Sequence, residues 1–124
     1  MIEALIVLVA VGGIGSLAAL APIVPFELWL TAGAGCTGAG LLLGVPTGFW
    51  YHVRLRARLT PRGLLPPRWW LHPVALHVHL TPSERAGVLR WFIAGGVGFA
   101  LCAIGITLVV AGVAIEWLRL RSAG

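Results

Sequence analysis

The sequence predicts an all-α integral membrane protein with three transmembrane helices. Apolar residues make up 59% of the 124 residues and charged residues only 10%, whereas soluble domains carry about 25% charged residues. The mean hydropathy is +0.96. A water-soluble fold of this length could not bury so much apolar surface. We therefore expect one transmembrane domain that comprises residues 1–124.

The first predicted span covers residues 2–21. At about 1.5 Å per residue this run matches a hydrocarbon core about 30 Å thick. A cleaved signal peptide is the alternative, because residues 19–21 (Ala-Leu-Ala) resemble a cleavage site. The basic region that begins such peptides is missing, and Pro22 would directly follow the cut. Both features favour a retained span.

The second predicted span covers residues 26–53. Pro22 and Pro25 end the first helix and leave a short link, which makes the first two spans antiparallel neighbours. Pro46 removes one backbone hydrogen bond and is expected to kink the second helix. Residues 49–52 (Phe-Trp-Tyr-His) form an aromatic belt of the kind found at membrane interfaces.

The third predicted span covers residues 82–118 and has the clearest boundary in the chain. Thr81 stands at the N-cap, Pro82 at the first helical position and Glu84 three residues after the cap. This pattern is a capping box, in which the two side chains bond to each other's backbone N–H groups. The helix therefore begins at Pro82.

A basic segment, residues 54–80, separates the second and third spans. Its mixture of Arg, Trp, His and Leu is typical of chain that lies along the membrane interface. Alternating Arg and Leu directly after a span favours binding to anionic lipid over binding to RNA, so we expect no nucleic-acid partner. The candidate headgroup-binding residues are Arg54, Arg56, Arg58, Arg62 and Arg68.

The distribution of arginine predicts the orientation. Seven arginines lie between residues 54 and 90, and two, Arg119 and Arg121, lie at the C-terminus. By the positive-inside rule the N-terminus and the basic segment are cytoplasmic and the C-terminus is outside. All basic residues are Arg and the chain is rich in Ala and Gly, a composition typical of GC-rich bacteria, so the expected location is a bacterial inner membrane.

Small residues recur in all three spans and predict close helix packing. Helices in lipid associate by van der Waals contact, which requires small residues on the touching faces. In the second span small residues occupy most positions from 31 to 40, more than two partner helices need. Packing of the three helices of one chain against each other is the ordinary explanation, and the density in the second span also suggests self-association or a larger complex. The predicted packing residues are Gly12, Ser16, Gly38, Gly40, Gly44, Ala94 and Gly98.

Three histidines near the third span form the only cluster that resembles a metal site. His72, His77 and His79 could bind zinc or copper. The interpretation that we favour is that their amphipathic rings lie at the interface, as Trp69 and Trp70 do, and that no cofactor is bound. A pH-sensing role is the third possibility.

Residue types that commonly act in catalysis are scarce in the sequence. The chain has no Asp, Asn, Gln or Lys, and Ser16, Cys36 and Cys102 have no ionisable neighbour within their spans. We expect Glu116 to form an intrahelical pair with Arg119 or Arg121. The predicted function is a noncatalytic packing or accessory subunit of a homo-oligomer or a larger membrane complex. The alternative is a small channel or transporter that handles metal through the histidines.

Overall fold

The computed structural model describes residues 8, 9, 11–13, 15, 16 and 19–124. The regular elements from residue 26 onward are all helical: α1 (Phe26–Leu59), three 3₁₀ helices η1 (Thr60–Arg62), η2 (Trp69–Leu71) and η3 (Pro73–His79), and α2 (Pro82–Ser122). The described part of the chain contains no strand. The predicted all-α class is therefore confirmed.

Two helices among the described residues are long and apolar enough to cross a membrane. They are Phe26–Arg62, which joins α1 to η1, and Pro82–Ser122, with mean hydropathies of 1.5 and 2.5 in their most apolar windows. The prediction was three such helices. The first predicted span, residues 2–21, lies largely outside the described residues, although those described between 8 and 20 are helical.

Helix α1 extends beyond the predicted end at residue 53, as far as Leu59. The predicted helix end at residue 53 is therefore wrong, and the first six residues of the basic segment are α-helical. Leu55 and Leu59, one turn apart on the same face, are fully buried, and burial of this face stabilises six further helical residues. The chain leaves α-helical geometry where Pro61, which has no N–H to donate, follows.

Helix α2 begins where the sequence predicts, and its capping box is confirmed. The backbone N–H of Thr81 donates to the carboxylate of Glu84 over 3.0 Å, and the N–H of Glu84 lies 3.5 Å from the Thr81 hydroxyl oxygen. The helix continues four residues past the predicted end at 118, to Ser122. Arg119 and Arg121 lie in this last turn, where positive charge complements the helix dipole.

The chain forms two compact units. One comprises Met1–Cys36 and Ile104–Gly124. Within it Gly33 packs so tightly that an added Cβ would lie 2.8 Å from the Gly105 carbonyl oxygen. The predicted Glu116 pair is confirmed with Arg119 at 3.5 Å, and the Arg119 guanidinium also donates to the backbone carbonyl of Ala21.

The other unit comprises Thr37–Ala103. In it α1 and α2 run antiparallel with their backbones in contact: a Cβ on Gly40 would lie 2.6 Å from the Cys102 nitrogen, and a Cβ on Gly98 would overlap the backbone of Gly44. Glycine is required at such close approaches. Beyond this glycine contact, the end of α1, the 3₁₀ helices and the start of α2 form a small core, which we call the cap. Its buried residues are Tyr51, Leu55, Leu59, Leu76, Leu80 and Val88.

Candidate functional site

The cap encloses one histidine. His77 is 6% exposed, and its Nε2 shares a hydrogen bond of 2.8 Å with the Tyr51 hydroxyl. The rings of Tyr51 and Phe92 meet His77 edge-on, each at 5.8 Å between centroids. Burial, and secondly the positive charge of Arg85, lower the pKa of His77 below its ordinary value. The imidazole is therefore held neutral as part of the cap core.

The structure does not bring the three candidate metal-binding histidines together. In the described part of the chain, no group of three His, Cys, Asp or Glu side chains is placed to hold a metal ion. His77 and His79 lie in η3, and a spacing of two in a 3₁₀ helix turns side chains about 120° apart. His77 is buried, whereas His72 and His79 are exposed. His52 is separately engaged, since its Nδ1–H donates to the Gly48 carbonyl over 2.9 Å.

Glu84 ties the beginning of α2 to the end of the preceding helical segment. Its Oε1 lies 2.8 Å from Arg62 Nη2 and 3.9 Å from Arg58 Nη1, while its Oε2 accepts from Thr81. One carboxylate thus completes the capping box and holds two arginines. Two of the five predicted headgroup-binding arginines, Arg58 and Arg62, therefore already have an anionic partner within the chain.

The remaining predicted arginines, Arg54, Arg56 and Arg68, pair with no carboxylate among the described residues. All three are exposed. Arg54 differs from the other two because its guanidinium lies over the Trp50 ring, 5.5 Å from the centroid. A cation–π contact of this kind holds the guanidinium near the ring, and no described carboxylate takes up its N–H groups.

Arg54 lines an open cleft of ≈ 420 Å³ together with residues of α2. Trp91, which also lines the cleft, contacts the tryptophan that lies under Arg54. The rings of Trp91 and Trp50 meet edge-on with 6.1 Å between their centroids. Arg90, like Arg54, has no carboxylate partner in the described part of the chain. The lining residues are Arg54, Gly87, Arg90, Trp91 and Ala94.

Arg90 was not among the predicted headgroup-binding residues. Ala94, which also lines the cleft, was predicted as a packing residue and lies one turn after Arg90 on α2. The contact between Trp50 and Arg54 could have been predicted from their four-residue spacing, since residues four apart share a helix face. No local signal joins Arg54 to Arg90, because 36 positions separate them in the chain.

The predicted packing glycines fall into two groups. Gly40, Gly44 and Gly98 lie in the contact between α1 and α2. A Cβ on Gly38 or Gly12 would meet nothing described within 4 Å. The Ser16 hydroxyl donates to the carbonyl of Gly12 in the preceding turn. The packing roles of Gly12, Ser16 and Gly38 stay predictions.

Comparisons of the chain with known protein families, with curated proteins and with solved structures find no match.

Proposed function

We propose that the chain is a small, noncatalytic membrane protein with three spans, which serves as a packing or accessory subunit of a homo-oligomer or a larger membrane complex. The observation that carries this proposal is the division of the α1 glycines. Gly33 and Gly40 face α2 and are buried, whereas a Cβ added to Gly35 or Gly38 would have no described atom within 4 Å. A second small-residue face of α1 is thus left uncovered by the described residues.

Exposure of apolar side chains supports the membrane location. Only 17% of each apolar helix window is buried within the chain, whereas the core helix of a soluble protein is mostly buried. Leu42 is 80% exposed and Phe99 75% exposed. Large apolar surfaces of this extent are stable in lipid and unfavourable in water.

The hydroxyl groups of α1 also suit a lipid environment. Thr31 donates to the Glu27 carbonyl and Thr47 to the Leu43 carbonyl, each four residues back, over 2.8 and 2.5 Å. A hydroxyl that bonds within its own helix carries no unsatisfied donor into the hydrocarbon core. These bonds support the assignment of α1 as a span.

The open face of α1 has helical spacing. Thr31, Gly35 and Gly38 follow one another at intervals of four and three residues, which aligns them on one side of the helix. Such a face permits the close backbone approach by which helices associate in lipid. The occupant that we propose is a helix of a second copy or of a neighbouring subunit.

The orientation that we propose places the N-terminus and the cap in the cytoplasm and the C-terminus outside, with anionic lipid and not nucleic acid at the cap. The seven arginines between residues 54 and 90 support it. The alternative function, metal handling by a channel or transporter, gains no support from the described histidines, because Nε2 of His77 is bonded to Tyr51.

The experiment that tests the assembly compares glycines on the two faces. In G35L/G38L, leucine fills the open face without a described clash, so we expect a folded protein of smaller assembled size in mild detergent. In G40L the side chain would meet the Cys102 backbone, and we expect loss of fold stability instead. G96L, at an open glycine of α2, is the matched control and should keep the wild-type size.

Sizing of the gently solubilised proteins gives the readout. An unchanged assembly size in G35L/G38L would contradict the proposed role of this face. A wild-type protein that is a monomer in mild detergent and is also recovered from membranes without any other protein would contradict the subunit proposal as a whole.

A further inference from the structure

We propose that the cleft between Arg54 and Arg90 is a binding site for the phosphate of one anionic phospholipid headgroup. This inference rests on the proposed membrane location and narrows the lipid contact from a general basic surface to one site. It also adds Arg90, which was not among the predicted headgroup-binding residues, and sets apart Arg58 and Arg62, which Glu84 already pairs.

The geometry of the cleft is prepared before a ligand arrives. Trp91 is in edge contact with Trp50 at an interplanar angle of 66°, and the guanidinium carbon of Arg54 in turn lies 5.5 Å from the centroid of the Trp50 ring. The plane of a guanidinium, with its N–H donors, matches the oxygen atoms of a phosphate. The contact with Trp50 holds the Arg54 guanidinium beside the cleft, and no described carboxylate competes for its N–H donors.

The charge of the cleft selects an anionic ligand. Arg54 and Arg90 bring two positive charges, and no described carboxylate pairs with either. Glu84 is occupied by arginine, and Glu116 pairs with Arg119. A zwitterionic headgroup would bring its own ammonium group towards two guanidinium groups, so a headgroup with net negative charge is preferred.

The surroundings of the cleft favour a lipid over a free phosphate. Gly87 and Ala94 give the cleft small side chains on α2, which leave room for the glycerol part of the ligand. Val97, seven residues after Arg90 and therefore on the same helix face, is 48% exposed. It offers an apolar surface for an acyl chain about two turns further along α2 than Arg90.

The test measures lipid retention by the full-length protein. Wild type, R54Q/R90Q and R56Q/R68Q are purified in a neutral detergent, offered phosphatidylglycerol or phosphatidylcholine, and analysed by native mass spectrometry. Arg56 and Arg68 are exposed arginines without a described carboxylate partner, so R56Q/R68Q removes the same charge from outside the cleft. A parallel sample receives inorganic phosphate.

We expect one phosphatidylglycerol per chain in wild type and in R56Q/R68Q, with little phosphatidylcholine. R54Q/R90Q should bind phosphatidylglycerol about tenfold more weakly than R56Q/R68Q, because the charge-assisted hydrogen bonds of the cleft are lost. In R54K/R90K, which keeps the charge but not the planar donors, binding should be intermediate.

Equal losses in the two Gln pairs would overturn the site and indicate diffuse attraction to the basic surface. Displacement of the lipid by inorganic phosphate at similar concentration would identify a phosphate site and overturn the lipid assignment. Extraction of the wild-type protein from membranes at alkaline pH would contradict the proposed membrane location itself. A chain that stays in the membrane but does not select phosphatidylglycerol contradicts only this inference.

Discussion

The hydroxyl of Tyr51 and Nε2 of His77 lie 2.8 Å apart and join the last turns of α1 to the short helix η3. Tyr51 is 3% exposed and His77 6% exposed, so the bond lies in the core of the cap. Phe92 packs against both rings. A buried polar pair of this kind fixes how the 3₁₀ segment sits on α1.

Acidification should destabilise the cap through His77. Its pKa in the folded state is lowered below 6.5, so as the pH falls through 6.5 the unfolded chain takes up a proton before the folded one does. Stability contributed by the neutral imidazole is thus present above pH 6.5 and is lost below it. Thermal unfolding in detergent across this range provides the measurement.

Two variants isolate this effect. H77Q keeps a polar partner for Tyr51 but cannot titrate, so its stability should change less with pH than that of the wild type. H79Q removes an exposed imidazole from the same helix and should keep the wild-type profile. A pH dependence in H77Q as steep as in the wild type would show that another group is responsible.

Replacement of Glu84 should reveal two separable roles. E84Q keeps an acceptor for the Thr81 N–H but loses the charge that holds Arg62, so we expect a modest fall in Tm that shrinks at high salt. E84A loses the capping box as well and should fall further at every salt concentration. Equal Tm values for E84Q and E84A would contradict the capping role.

Alanine at Gly98 should destabilise the helix pair, whereas alanine at Gly96 should not. A Cβ at Gly98 would overlap the backbone of Gly44, and backbone cannot move aside as a flexible side chain can. We expect a loss of about 1–3 kcal/mol for G98A, the usual cost of overpacking. At Gly96 a Cβ meets nothing described within 4 Å, so G96A should be neutral or slightly stabilising. Unfolding by a denaturing detergent measures both.

A chain with three spans and a chain with two spans would have the N-terminus on opposite sides of the membrane. With three spans, a tag on the N-terminus lies in the cytoplasm and a tag on the C-terminus lies outside; with α1 and α2 alone, both tags lie outside. Protease accessibility in intact cells, compared with permeabilised cells, distinguishes the two. A C-terminal reporter that is active only in the cytoplasm would reverse the proposed orientation.

The sequence by itself determined the helical class, the start of α2 and the pairing of Glu116 with Arg119 or Arg121, because these depend on composition or on residues close together in one helix; the structure shows Arg119 as the partner. Thr81 and Glu84 form their capping box locally, whatever packs around them. The end of α1, in contrast, does not depend on neighbouring residues alone. Burial of Leu55 and Leu59 in the cap extends the helix past residue 53, and the residues that bury them come from a distant part of the chain.

Where a residue type recurs in a segment, only the tertiary structure decided which copy contacts another part of the chain. Gly38 and Gly40 look equivalent in sequence, yet a two-residue step turns a helical position by about 200°, so one faces α2 and the other does not. Likewise one of three clustered histidines is buried, and one of several arginines, Arg54, lies over the Trp50 ring and shares a cleft with Arg90. The physical reason is that these choices depend on contacts between distant segments, which no local pattern encodes.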